Sequence, residues 1–419
     1  MPENIIVGLD IGTKSVRMAA GQIVVTGNKK QLHILGVAEI PSEGVKKGAI
    51  FNAEDVISSI SMCRERLERL INLPIENAYV SMNDSQILSQ GSRGLVGVMK
   101  PNGEIEQEDV ARALEQAQTI IMPPNYEVLH VLSKGYSVDS QPNIKDPVGM
   151  TGIRLEVDTL LIEAQLANLK NLQKCIYRTT LHIKDIVLGI LANAELILTP
   201  RQKDIGSAVI NIGAATTGVA VYEEGDLIHI AVLPIGADKI TQDISLLLKI
   251  SSFEVAERLK IKYGTADSRN VSKKEEINIY EDEEDKEEII SRKSLADIIE
   301  ARVEEIFSKV NAELKKIGRA GLLPAGAILC GGGAKLDGII EVAKRELKLP
   351  TAIGYPMEVS SVSEKINDSA FTTAISLVKW GGECQDFSKD MLGEIIHKIR
   401  NILKGGTESA GKWFGSIFK

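Results

Sequence analysis

The run Asp10-Ile11-Gly12-Thr13-Lys14-Ser15 brings a carboxylate, two hydroxyls, an ammonium and a glycine into six positions. Apolar residues 6–9 lead into it and residues 16–20 lead out, which reads as strand, tight turn, strand. Such a turn can offer successive backbone N–H groups to an anion such as phosphate. Asp10 at the strand end could hold Mg²⁺ through water, because that ion keeps several of its waters. A Walker A loop would need a glycine before the lysine and a helix after it, and this run has neither. Taken alone, the segment is equally a plain glycine turn.

Two further loops serve the same chemistry. Asn211-Ile212-Gly213-Ala214-Ala215-Thr216-Thr217-Gly218 repeats the strand–turn–strand pattern about half a chain length later, with Asn211 aligned on Asp10. Its small residues let a backbone approach closely, and Thr216 and Thr217 bring hydroxyls. The third loop, Gly331-Gly332-Gly333-Ala334-Lys335, follows the apolar run 326–330, and bare backbone there would let a flat ligand lie against it. The repeat implies a duplicated α/β fold with a cleft between its halves. Between the repeats, residues 106–119 read as a helix and 128–138 and 155–163 as strands, the pattern of a small α+β insertion. Residues 237–308 read as mostly helical, interrupted by an acidic stretch at 278–288 that fits a solvated loop or hairpin edge.

These three motifs, in this order, resemble the phosphate and adenosine loops of the actin, heat-shock chaperone and sugar-kinase superfamily. Within it the chain resembles the FtsA family, through 127–139, through Asp146-Pro147-Val148-Gly149-Met150-Thr151-Gly152-Ile153-Arg154-Leu155, and through Arg292-Lys293-Ser294-Leu295-Ala296. The resemblance implies an actin-like (ribonuclease H-like) duplicated fold. Its subdomain 1A would be split over 1–80, 162–202 and 359–382, with an inserted subdomain 1C at 81–161. Subdomain 2A would span 203–236 and 301–358, and 2B 237–300. A linker with an amphipathic helix would cover 383–411, and a membrane-targeting helix 412–419.

The same resemblance implies ATP with Mg²⁺ at Gly12, Thr13, Lys14, Ser15, Asn211, Gly213, Ala214, Ala215, Thr216, Gly331, Gly332, Gly333 and Lys335. Glu257 and Lys260, three apart on one helical face, would touch ribose and base, the alternative being a surface ion pair. Asp10 and Glu195 are the candidate catalytic residues, Glu195 as a water-orienting group. Asn211 stands where many family members carry Asp, which removes a charge that could place metal or water, so slow turnover or none is expected. Implied partners are copies of the chain itself in a filament, the C-terminal tail of an FtsZ-like protein near Arg292 and Lys293, and other division proteins through 81–161. The alternatives are a PilM-like pilus-assembly adaptor and a sugar or acid kinase. A kinase would need a catalytic Asp close to the second phosphate loop and a sugar-sized polar pocket, and Asn211 and the insertion count against it.

Composition limits the rest. The 419 residues exceed one compact domain. A net charge of −8 without a basic stripe in the body speaks against nucleic-acid binding. Four cysteines far apart fit buried thiols in a reducing compartment. No run has the length of a membrane-spanning helix, and no basic region followed by an apolar run opens the chain, so a cytosolic protein is expected. Beyond Gly382 the composition shifts. Met391, Leu392, Ile395, Ile396, Ile399, Ile402 and Leu403 fall on one helical face, which suits a membrane or a protein partner equally. The end, Lys412-Trp413-Phe414-Gly415-Ser416-Ile417-Phe418-Lys419, sets Trp413, Phe414, Ile417 and Phe418 between lysines, a composition for the anionic cytoplasmic face of a membrane.

Overall fold

The computed structural model describes residues 5–26, 29–119, 122–280, 288–361 and 364–387. They form two compact units, one made of the described residues up to Gln86 with Lys170–Lys379, the other of Ile87–Leu169 with the described residues from Trp380 on. The expected tail, 391–419, lies outside the described residues.

The first unit contains two sheets of one plan. In the first, strands His182–Leu188, Asn77–Met82 and Ile6–Ile11 run parallel, and Ser15–Thr26 and Lys29–Pro41 continue antiparallel, with short Val359–Ser361 at the edge. In the second, Thr351–Ile353, Gly326–Cys330 and Ser207–Ile212 run parallel, and Thr217–Glu223 and Asp226–Leu233 continue antiparallel. The internal repeat read from the sequence is thus a repeat of sheet order. The central strands are apolar on both faces because helices cover both: Leu9, Met18, Val209, Ile210 and Val219 are wholly buried. In the second half, Ile299, Val303, Ile306, Phe307 and Val310 recur every three or four residues along helix Arg292–Lys316, forming the stripe that packs into the core.

The second unit is an antiparallel sheet in the order Leu88–Gly97, Arg154–Gln165, Tyr126–Val138, Gln141–Ile144. Helix Gln107–Ala117 lays Val110, Ala113 and Ala117 against Tyr136, Val138, Leu155 and Val157. The helix comes so close that a Cβ on Gly94 would meet the Ala113 carbonyl at 1.9 Å. The motif at 146–155 does structural work here. Gly149 takes φ +82°, and the Asp139 carboxylate accepts from the N–H groups of Ile153 and Arg154 at 3.0 and 2.8 Å.

Two local readings are refined. The acidic interruption is flanked by a small hairpin, Glu276–Asn278 against Ile289–Ser291. Helix Thr372–Phe387 runs through Gly381-Gly382, past the composition shift near 382. A mid-helix glycine costs about 1 kcal/mol, which burial of neighbours overrides.

Candidate functional site

Both hairpins fold identically at their tips. Gly12 donates to the Ser15 carbonyl at 3.1 Å, and Gly213 to the Thr216 carbonyl at 2.9 Å. Asp10 stands across from Arg17 and Asn211 across from Gly218, so both polar residues sit one step before the strand ends. Ser207–Ile212 and Gly326–Cys330 run parallel with Asn211 beside Cys330, which delivers the glycine run next to the second hairpin. All three loops therefore leave parallel strands at their carboxyl ends, where ligands of open α/β sheets bind.

They line a single cleft of about 520 Å³, within the first unit. Among the expected residues, Asp10, Gly12, Thr13, Lys14, Ser15, Asn211, Gly213, Ala214, Ala215, Thr216, Glu257, Lys260, Gly331, Gly332, Gly333 and Lys335 all line it. The second loop is braced from behind, because its Gly213 and Ala214 carbonyls accept from Ala237 and Asp238 N–H at 2.9 and 2.8 Å. Two of the three late glycines are sterically required. Gly331 has φ +87° and would press a Cβ to 2.2 Å from Asn211 Oδ1, and a Cβ on Gly333 would lie 2.4 Å from Ile212. Gly332 is exposed, and a Cβ there meets nothing nearer than 4.0 Å.

The far wall is helix Phe253–Tyr263, started by Ser252, whose hydroxyl accepts from Val255 N–H at 3.3 Å. Its Glu257 binds Lys260 at 2.6 Å and also accepts from Thr241 and from Lys14 of the first hairpin. The pair is thus buried and three-cornered, not a surface ion pair. Burial pushes the Glu257 carboxyl up, but Lys260 and Lys14 outweigh it and bring it down to about 2. Burial lowers Lys260, against the pull of Glu257. Lys335 is held by Asp368 at 2.8 Å.

Asp10 is buried, and that burial raises its carboxyl above the usual range, although Ser81 at 2.6 Å and Asn83 at 3.0 Å both donate to Oδ1. Among the described residues no three acidic, His or Cys side chains gather. At Asp10 a single carboxylate held by a hydroxyl and an amide fits a hydrated Mg²⁺ carried on phosphates, and does not fit a fully protein-ligated ion.

Two expectations fail on geometry. Glu195 does not line the cleft. It binds Lys203 at 2.5 Å while its carbonyl accepts from Lys379 at 2.6 Å, because its position on helix Gly189–Ile197 turns it away from the phosphate loops. Thr217 is fully buried and donates to the Ile235 carbonyl at 2.8 Å, so its hydroxyl is not free for a ligand. Conversely, Asn83, Arg17, Asp238, Asp368 and Thr373 line the cleft and were not foreseen. Asn83 directly follows the strand beside Asp10, and that placement was the available signal. Arg292 and Lys293 begin their helix as expected. Arg292 holds Glu275 at 2.7 Å and the Tyr263 carbonyl at 3.1 Å, and Lys293 holds Asp297 at 3.0 Å.

A duplicated sheet with a glycine-lined cleft leaves the branch of the superfamily open, and comparison with known proteins narrows it. Residues 208–376 match the model of the cell division protein FtsA, and 85–163 match the SHS2 domain inserted in FtsA. A cell division protein FtsA of Borreliella burgdorferi is 33% identical over 419 residues, 99% of each chain. The chain belongs to the FtsA family. As an FtsA-family protein it is a division protein on an actin-like fold. The PilM component of a PilM–PilN type IV pilus biogenesis complex shares that fold at TM-score 0.63 and 16% identity, over 91% of this chain and 99% of the other. MreB5 of Spiroplasma citri, in a structure bound to AMPPNP, shares it at TM-score 0.54 and 11% identity, over 93% and 99%. These two likenesses concern the fold alone, and family membership removes the pilus-adaptor and kinase alternatives.

Proposed function

We propose that this FtsA-family chain binds ATP with Mg²⁺ in its cleft, assembles with copies of itself, and tethers an FtsZ-like division ring to the cytoplasmic face of the membrane. The observation that carries the nucleotide reading is the convergence of three glycine loops on one cleft. Backbone N–H groups of 13–15 and 214–216 would take phosphate oxygens, since those of Gly12 and Gly213 already close the two turns, with the Lys14 ammonium beside them. Glu257 and Lys260 would meet the ribose and base, and the 331–333 backbone would lie against the nucleoside. Asp10 would hold the metal through water. When bound, the metal neutralises phosphate charge; the chain's part is to hold and shield the ligand. Hydrolysis is slow or absent, since Asn211 brings an amide where a carboxylate could orient water, and Glu195 points elsewhere.

Membrane attachment rests on 412–419. Burial of an aromatic side chain contributes about 1.5–3 kcal/mol, and each lysine near an anionic surface about 1 kcal/mol. After the entropy of ordering is subtracted, one tail binds reversibly, and a filament presenting many tails binds by avidity. Co-sedimentation of the full chain with anionic vesicles at saturating ATP, with and without residues 405–419, tests this. The intact chain should pellet and the truncated one should stay in solution; equal pelleting would remove the anchor assignment.

A further inference from the structure

Asn83 is fixed more tightly than a loop residue needs to be. Strand Asn77–Met82 runs parallel to Ile6–Ile11 and brings Ser81 and Asn83 to the buried carboxylate of Asp10. Ser81 Oγ donates to Asp10 Oδ1 at 2.6 Å, and Asn83 Nδ2 donates to the same oxygen at 3.0 Å and to Ser81 Oγ at 3.1 Å. An ionised carboxylate only accepts, so the amide nitrogen must face it and the amide oxygen must point the other way. That oxygen occupies the space over Gly189, where a Cβ would come within 2.2 Å of it. A Cβ on Gly48 would likewise come within 2.2 Å of the Asn83 carbonyl. Two glycines thus leave room for one asparagine. Among the described residues no donor meets Asn83 Oδ1, and Asn83 lines the cleft.

Resting on the reading of the cleft as a nucleotide–Mg²⁺ site, we propose that Asn83 is a positioning residue for the hydrated metal. Its nitrogen fixes one oxygen of Asp10, and its own oxygen accepts from a metal-bound water. Partners of this kind change metal affinity by about 10–100-fold when removed.

The test titrates Mg²⁺ against binding of a fluorescent ATP analogue to the full chain, with an arm in EDTA. Asn83→Ala should raise the Mg²⁺ concentration for half-maximal binding at least about tenfold, with affinity in EDTA within about twofold of wild type. Asn83→Asp keeps an acceptor but replaces the donor with a second carboxylate beside Asp10. Its Mg²⁺ midpoint should likewise move away from that of the wild type. A wild-type Mg²⁺ midpoint in both variants, or equal loss of affinity with and without Mg²⁺, would overturn the proposal. A wild type without Mg²⁺-dependent nucleotide binding would overturn the cleft reading itself, and its own titration shows this before any variant is compared.

Discussion

Glu257→Gln separates the two lysines that meet one carboxylate. At an effective dielectric of about 20, unit charges about 4 Å apart interact by about 4 kcal/mol. Lys260 keeps 9% of its side chain exposed, so Glu257→Gln leaves a buried ammonium facing a neutral amide in place of the carboxylate, beside Thr241 Oγ1 at 2.8 Å, the Ala237 carbonyl at 3.3 Å and the charge of Asp238. Breaking a buried pair in this way costs about 3–5 kcal/mol, and the retained hydrogen bonds place the loss near the lower end. Lys14 is 47% exposed, so Lys14→Met should cost no more than about 1 kcal/mol after solvent screening. The Glu257 carboxyl is depressed to about 2, so its contribution is full above the unfolded value of 4.5 and is lost as pH falls toward 2. Urea unfolding of the ligand-free full chain at pH 7 and pH 3 reads both effects. Glu257→Gln should lower the midpoint much more than Lys14→Met at pH 7, with the gap narrowing at pH 3. Equal losses for the two variants, or a Glu257→Gln loss below about 1 kcal/mol, would refute the assignment of the buried pair.

Asp10 carries the opposite sign. Its buried carboxyl titrates above the usual 3.8, so its contribution is greatest below that value and falls as pH rises. Asp10→Asn should therefore raise the ligand-free melting temperature at pH 7 but not below pH 4, while abolishing the effect of Mg²⁺ on nucleotide affinity; a lower melting temperature at pH 7 would contradict this. Charge reversal of Arg292 and Lys293 to Glu should abolish binding of an acidic FtsZ-like tail peptide, measured by fluorescence anisotropy. Because Arg292 also holds Glu275, it should lower the melting temperature by a few degrees as well. Trp413→Glu should move the chain from the vesicle pellet to the supernatant with ATP affinity unchanged, and added salt should release the wild type only in part, since the aromatic contribution is not screened.

The parts of the fold legible in the sequence were those where one physical requirement dominates. Doubly buried strands must be apolar and tight turns need glycine, so both hairpins, the glycine run at 331–333 and the strands of the insertion could be found by pattern. The helix start at Arg292 came from resemblance. Side-chain direction was less legible. Glu195 and Glu257 are both glutamates on helices, and only the tertiary packing turns Glu257 into the cleft and Glu195 toward Lys203. Thr216 and Thr217 are adjacent hydroxyls, yet Thr216 lies in the turn that lines the cleft while Thr217, the first residue of the strand, is buried against the Ile235 carbonyl. Asn83 carries no motif. Its role depends on the parallel register that sets Ser81 and Asn83 beside Asp10, and on bare backbone at Gly48 and Gly189, which lie far apart in the chain.

The most direct test of the nucleotide cleft is calorimetric titration of ATP with Mg²⁺ into the wild type and Gly332→Arg. Gly332 is the one member of the glycine run whose Cβ meets nothing nearer than 4.0 Å, so the substitution fills the cleft without straining the fold. One saturable site in the wild type, lost in Gly332→Arg at an unchanged melting temperature, is the predicted result. Equal ATP affinity in the two proteins would contradict the account.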